Sequence, residues 1–226
     1  AALRRGWITV FLELGEFEDR LPVEPPARLS DLPETLRFYA DDRISVWYAP
    51  MGERMPAPKL WLLGITPGWN QARLAFAHAA ERLKAGAAPR DAARERKPAV
   101  AYAGSMRRNL VQMLDEVGLS DWLDVYSSSV LFDDERLRTG SVLKYPVFRG
   151  GRNYSGHSPL PVAHPSRRMM LHQVFFSELR AVPACPIVPL GRAVETVLRY
   201  ACEQGELQAD RVLWGFPHPS GANGHR

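Results

Sequence analysis

Residues 59–70 read Lys-Leu-Trp-Leu-Leu-Gly-Ile-Thr-Pro-Gly-Trp-Asn. A short apolar run, Leu60 to Leu63, breaks abruptly into Gly64, Pro67 and Gly68. A run with no polar side suits a strand buried on both faces better than an amphipathic helix. The glycines and the proline then impose a tight turn at the strand's carboxyl end, the edge on which open α/β sheets hold their ligands. The same turn would also serve as a plain strand-to-helix connection, so its meaning depends on what else reaches that edge.

Further along, residues 124–132 (with Val125, Val130 and Leu131), 186–190 and 211–216 read as three more core strands. Helical patterns separate them. Residues 71–83 are Ala-rich. Ser105 stands where a helix N-cap belongs, before Met106, Leu110, Met113, Leu114 and Val117 on one face, and Gly118 stops that helix. Ser166 is placed likewise before a helix through Leu179, and residues 193–202 form another. Strands alternating with helices predict a parallel sheet covered on both faces, a three-layer α/β/α domain with four parallel strands. Two Gly/Pro-rich turns, at 64–68 and 217–224, then leave carboxyl ends of strands and open on one edge. That convergence argues for one shared site.

The 226 residues suit a single domain, with residues 1–57 as a preamble packed on it. In that preamble Trp7, Val10, Phe11, Leu14 and Leu21 share a helical face, Ser30 is placed to cap a short helix through Tyr39, and residues 44–48 read as extended. Residues 84–96 read as a solvated helix or loop. Residues 133–165 form an irregular stretch whose Tyr, Asn, Arg and Lys content suits an ordered binding loop. No run approaches the roughly 18 apolar residues of a membrane span and no signal-peptide pattern opens the chain, so the expected location is cytoplasmic. Net charge is +4, and the cations are mostly Arg, with Lys only at 59, 84, 97 and 144. Guanidinium forks suit phosphate, which inclines the charge toward nucleic acid. Cys185 and Cys202 match no metal spacing and are expected as thiols, with no metal and no cofactor.

A strand followed by Gly-Ile-Thr-Pro-Gly, and a late strand followed by His-Pro-Ser-Gly, together resemble the uracil-DNA glycosylase superfamily over residues 58–226. Asn70-Gln71-Ala72, the Ser105-x-x-x-Asn109 helix start and Pro186-Ile-Val-Pro-Leu-Gly191 fit the same order. His-Pro-Ser occurs twice, at 164–166 and 218–220. The first precedes a helix; the second follows a buried strand, as the resemblance requires.

The resemblance implies an N-glycosyl hydrolase that flips a damaged base out of DNA and cleaves its glycosidic bond, acting as a monomer without a metal. His218, as a neutral imidazole, would hydrogen-bond to the leaving base; preorganised donors of this kind are worth about 3–4 kcal/mol. Thr66 would orient the water. The base would lie against Gly64 and Ile65, be stacked on by Phe76 as first choice or Trp69 as second, and be read by Ser129 or Asn153. Ser105, Asn109, Ser220, Gly221 and Asn223 would hold DNA phosphates. Thr66 stands where relatives carry Asp or Asn, Ala222 where many carry a bulky wedge, and Ser127-Ser128-Ser129 where a base-reading Asn is expected. The wedge role would pass to Asn223, His225 or Arg226, and the substrate is uracil or another deaminated base such as hypoxanthine. Two rivals stand beside this reading. One is a superfamily member that binds nucleic acid without catalysis. The other is a small-molecule enzyme whose first turn holds a nucleotide phosphate, although that turn lacks the Lys-Ser/Thr of a P-loop.

Overall fold

The computed structural model describes residues 14–52, 57–94, 102, 104–158, 160–163 and 165–220. Strand β3 (Leu60–Gly64) lies at the centre of a parallel sheet, flanked by β4 (Leu137–Ser141) and β7 (Ile187–Pro189). The alternation of its side chains divides the interior. Trp61 and Leu63 face one core cluster, Leu60 and Leu62 the other, and all four are fully buried. On the first side lie α2 (Trp69–Lys84), contributing Ala72, Phe76 and Ala79, and α8 (Arg192–Glu203), contributing Val194, Val197 and Leu198. On the second lie α4 (Ser105–Glu116) with Leu110, Met113 and Leu114, and α5 (Leu119–Trp122) with Leu119. Two-sided burial is what an unbroken apolar strand dictates, and it makes the fold mixed α/β with helices on both faces of the sheet.

The parallel sheet has three strands rather than the expected four. Residues 211–216 contribute one parallel bridge, Val212 to Ile187, and the Leu213 N–H donates to Ile187 O at 2.9 Å. Residues 124–132 are no strand. Asp124 takes a left-handed φ of 53°, and the Ser127 hydroxyl accepts the Ser129 N–H while the Ser128 N–H goes to Asp115. Serine side chains there compete for the backbone and wind residues Ser128–Asp133 into a 3-10 turn. The second parallel strand is instead Leu137–Ser141, Leu-Arg-Thr-Gly-Ser, half-buried along its length and too polar to announce itself.

A second, antiparallel sheet was not expected. It runs β1 (Arg37–Ala40), β2 (Ser45–Trp47), β5 (Val147–Arg149), β6 (Arg152–Asn153), and so joins the preamble to the long region 133–165. Tyr145 and Tyr48 stack there with Phe38 and with Phe17 of α1 (Leu14–Glu18), at ring separations of 4.5–5.9 Å. Of the helix expected over 7–21, the described residues hold α1. The cap at Ser30 is absent: 3-10 turns at Leu29–Asp31 and Glu34–Leu36 lead into β1. Residues 84–96 include a short helix, α3 (Pro89–Arg94).

Helix α4 begins at Ser105 itself, with Gly104 at φ 81° in the cap position, so Ser105 lies one residue inside its expected place. The segment after 164 behaves the same way: α6 starts at Pro165, widens into a π turn at Leu171–Phe175 and resumes as α7 (Phe176–Ala181). Proline at a first helical position is favoured, which displaces Ser166 from the cap. Cys185 is buried and Cys202 half-buried, both thiols.

Candidate functional site

Backbone hydrogen bonds draw three segments to the carboxyl end of β3. Val142 and Leu143 N–H groups donate to Gly64 O and Ile65 O at 3.0 and 2.9 Å. Leu190 N–H donates to Leu63 O at 2.8 Å, and Gly191 N–H to Phe216 O at 3.1 Å. The last bond brings the described part of the late turn, residues 217–220, to the same edge of the sheet as the first turn, as segments leaving the carboxyl ends of parallel strands should.

Close approaches set the walls. A Cβ on Gly191 would stand 3.0 Å from His218 Cβ, and Gly191 has φ 93°, so glycine is required there twice over. A Cβ on Gly156, at φ 82°, would fall 2.6 Å from Ile65 Cγ1 and 2.9 Å from Ala193 Cβ. The long loop thus lies directly on the first turn. Asn153 pins it: Asn153 Oδ1 accepts the Trp69 N–H at 2.8 Å, while Gln71 Oε1 accepts the Gly68 N–H at 3.1 Å. Together these satisfy two of the orphan amides at the start of α2.

His218 is half-buried, and the geometry specifies its tautomer. The Ser220 N–H donates to His218 Nδ1 at 3.2 Å. A ring nitrogen that accepts a backbone N–H keeps its lone pair, so the neutral ring carries its proton on Nε2. Burial, with His157 nearby as a second cause, pushes the imidazole below its ordinary range and favours that neutral form. His157 is exposed and follows Gly156, and its Nδ1 donates to the Ser155 carbonyl at 3.0 Å. His218, against Gly191, and His157, beside the Gly156 that faces Ala193, flank the first turn of α8. Glu195 in that turn accepts the Gly215 N–H at 2.6 Å and fixes the approach to His218.

The candidate residues divide on inspection. Gly64, Ile65, Trp69, Asn153, His218 and Ser220 meet at this edge; Trp69 is half-buried and available as a ring surface. Phe76 does not join them. At 1% exposure it is a core residue of α2 and cannot stack on a ligand. Thr66 is present, but its hydroxyl donates to Tyr145 O at 2.9 Å and accepts the Val147 N–H at 3.1 Å, locking β5 to the turn. Asn109 Nδ2 donates to Pro219 O at 2.9 Å, so its amide holds the late turn. Ser105 is exposed at the start of the same helix.

Ser129 lies elsewhere. It lines a groove of about 560 Å³ along α4 with Arg107, Arg108 and Asp115. Asp115 is six residues beyond Asn109, about 9 Å along the helix. Burial alone would raise the Asp115 carboxyl, but hydrogen bonds from Ser128, Ser127 and Ser120 outweigh it and hold it below the usual range. Gly221 and Asn223, with Ala222, His225 and Arg226, lie outside the described residues, as does His164.

Sequence reasoning overlooked His157, Gly191 as a wall, and Glu195. The Gly156-His157 pair in a loop already rich in polar residues was the available signal. Among the described residues no group of three or more His, Cys, Asp or Glu is placed to share a metal ion, and no helix is long and apolar enough to cross a membrane.

No family model matches the chain, and no solved structure matches it. The chain is 38% identical over 220 residues to the uncharacterized protein YoxB of Bacillus subtilis (strain 168), an alignment covering 94% of this chain and 86% of that protein. Identity at that level across nearly the whole fold places this chain in the same family as YoxB.

Proposed function

We propose that this chain is a uracil-DNA-glycosylase-like hydrolase that excises uracil or another deaminated base from DNA. The observation that carries the reading is the hydrogen bond from the Ser220 N–H to His218 Nδ1, which leaves the proton of a neutral ring on Nε2, at the edge where the described parts of both Gly/Pro turns lie. Cleavage of an N-glycosidic bond leaves negative charge on the departing base, and an N–H fixed in place before the reaction stabilises that charge without reorganisation. Trp69 offers a ring for the flipped base, and Asn153, with both amide atoms at the Gly68–Trp69 corner, is the nearer of the two base-reading candidates. Ser105 and Ser220 remain the phosphate contacts, Asn109 acting through the position of Pro219. A four-stranded superfamily sheet would correspond here to three strands plus the Val212 bridge. DNA is the proposed partner, with a monomer acting in the cytoplasm.

A second reading, nucleic-acid binding without catalysis, draws on Thr66. Its hydroxyl is already tied to Tyr145 O and the Val147 N–H, which leaves it poorly placed to orient water. Incubation with single-stranded and duplex oligonucleotides carrying uracil or hypoxanthine, followed by alkaline cleavage, separates the two. Strand breaks at the modified base support excision; binding with intact strands supports the second reading.

A further inference from the structure

Hydrolysis at the His218 edge calls for a group that takes a proton from water, and the described residues that meet there offer few. The Thr66 hydroxyl is held between Tyr145 O and the Val147 N–H, and a neutral hydroxyl is no base near neutral pH. Asn153 carries an amide whose Oδ1 already accepts the Trp69 N–H. Glu195 is the acidic residue in the first turn of α8, and its Oε1 accepts the Gly215 N–H at 2.6 Å. His218 accepts the Ser220 N–H on Nδ1, which leaves Nε2–H as a donor.

His157 is the remaining imidazole. Its Nδ1 donates to Ser155 O at 3.0 Å, so in the neutral ring the lone pair is on Nε2. The loop fixes where this residue stands. Gly156, just before it, lies so close to the first turn and to α8 that a Cβ would fall 2.6 Å from Ile65 Cγ1 and 2.9 Å from Ala193 Cβ. Ala193 is two residues past Gly191, whose own Cβ position is 3.0 Å from His218 Cβ. On the other side of His157, Ser158 O accepts Arg149 Nη1 at 3.0 Å, so the backbone is tied both before and after the imidazole. The two histidines are near enough for the charge of one to act on the other. His157 is also exposed, so water reaches its ring.

On the base-excision reading of this edge, we propose that His157 is its general base, Nε2 taking a proton from the water that attacks the sugar carbon of the flipped nucleotide. The water oxygen bonds to C1′ as the bond from C1′ to the base nitrogen breaks. The electron pair of that bond leaves with the base, where the His218 Nε2–H stabilises it. The water proton goes to His157, which returns it to solvent, and the departed base takes a proton from solvent. Thr66 then has a structural task only, the one its two hydrogen bonds already describe.

The test compares wild type, His157→Ala and His157→Asn in single-turnover excision at saturating protein, on strands carrying uracil or hypoxanthine. DNA affinity is measured separately, and imidazole is added to the His157→Ala reaction. Because the side chain is exposed, both variants should melt with wild type. Their rates should fall about 10²-fold on either base with affinity unchanged, and free imidazole should restore part of the His157→Ala rate. Equal rates in variants and wild type would overturn the role of His157 while leaving the excision reading intact. A loss seen as weaker binding would make His157 a strand contact, and a loss confined to one base would make it a base reader. A loss that imidazole does not restore would make it a positioning residue. Each of these three also overturns the proposal. No abasic sites from wild type on either strand would remove the excision reading, and the general base with it.

Discussion

Asn153 and Trp69, 84 residues apart in the chain, share a 2.8 Å hydrogen bond in which the side-chain oxygen of one accepts the backbone N–H of the other. An asparagine from the long loop thereby does for α2 what a capping residue beside the helix normally does. Replacing a capping side chain by Ala costs about 1 kcal/mol. Asn153→Ala should therefore lower the melting temperature by roughly 2–4 °C, while Asn153→Asp, which keeps the acceptor and adds charge at a helix N-terminus, should not. Thermal melts of the two variants check the pair.

Gly156 and Gly86 have nearly equal φ, 82° and 87°, but only Gly156 has neighbours where a Cβ would go. Gly86→Ala should cost about 1 kcal/mol from backbone strain alone. Gly156→Ala adds overlap with Ile65 and Ala193 and should cost about 2–4 kcal/mol. Equal costs in urea denaturation would mean that the loop does not rest on the first turn.

Thr66 presents a clean choice between structure and chemistry. Thr66→Val removes the hydroxyl that accepts the Val147 N–H and donates to the Tyr145 carbonyl and should destabilise by about 1–3 kcal/mol, with Thr66→Ser restoring the loss. Denaturant midpoints of the two variants measure it. A stable Val variant would return the hydroxyl to the role of holding water.

The His218 imidazole also predicts how stability varies with pH. Its folded pKa is depressed below the ordinary 6.5, chiefly by burial. On acidification the unfolded chain therefore takes up this proton first. The contribution is intact above about pH 6.5 and is lost as the pH falls from there through the folded pKa. Melts of wild type between neutral and mildly acidic pH should show that loss, and His218→Asn should flatten it.

Legibility in the sequence followed local physics. The run Leu60–Leu63 had to be buried on both faces, and the Ala-rich stretch, the stripe of Leu110, Met113 and Leu114, and residues 193–202 had one periodic face each; these emerged as expected, while Val117, assigned to the same stripe, caps the helix and is exposed. Residues 124–132 misled because their apolar residues sit among serines that bind backbone groups and Asp115. Leu137–Ser141 was illegible because a half-buried strand carrying Arg138 and Gly140 has no alternation to detect. The antiparallel sheet depends on pairing between residues about a hundred apart, which no local pattern encodes. In the candidate site, residue type and position pointed to His218 and Asn153, and both lie beside the sheet edge. Phe76 was chosen for chemistry that its burial forbids, and the tautomer of a neutral His218 follows from a hydrogen bond visible only in three dimensions.

The central claim is that a neutral His218 stabilises a departing base. It is tested most directly by comparing abasic-site formation by wild type and His218→Ala on uracil- and hypoxanthine-containing strands, with DNA affinity measured in parallel. The account predicts excision by wild type, a loss of about 10²–10³ in rate for the variant, and nearly unchanged binding. Equal rates in the two proteins, or no abasic sites from wild type on either base, would contradict it.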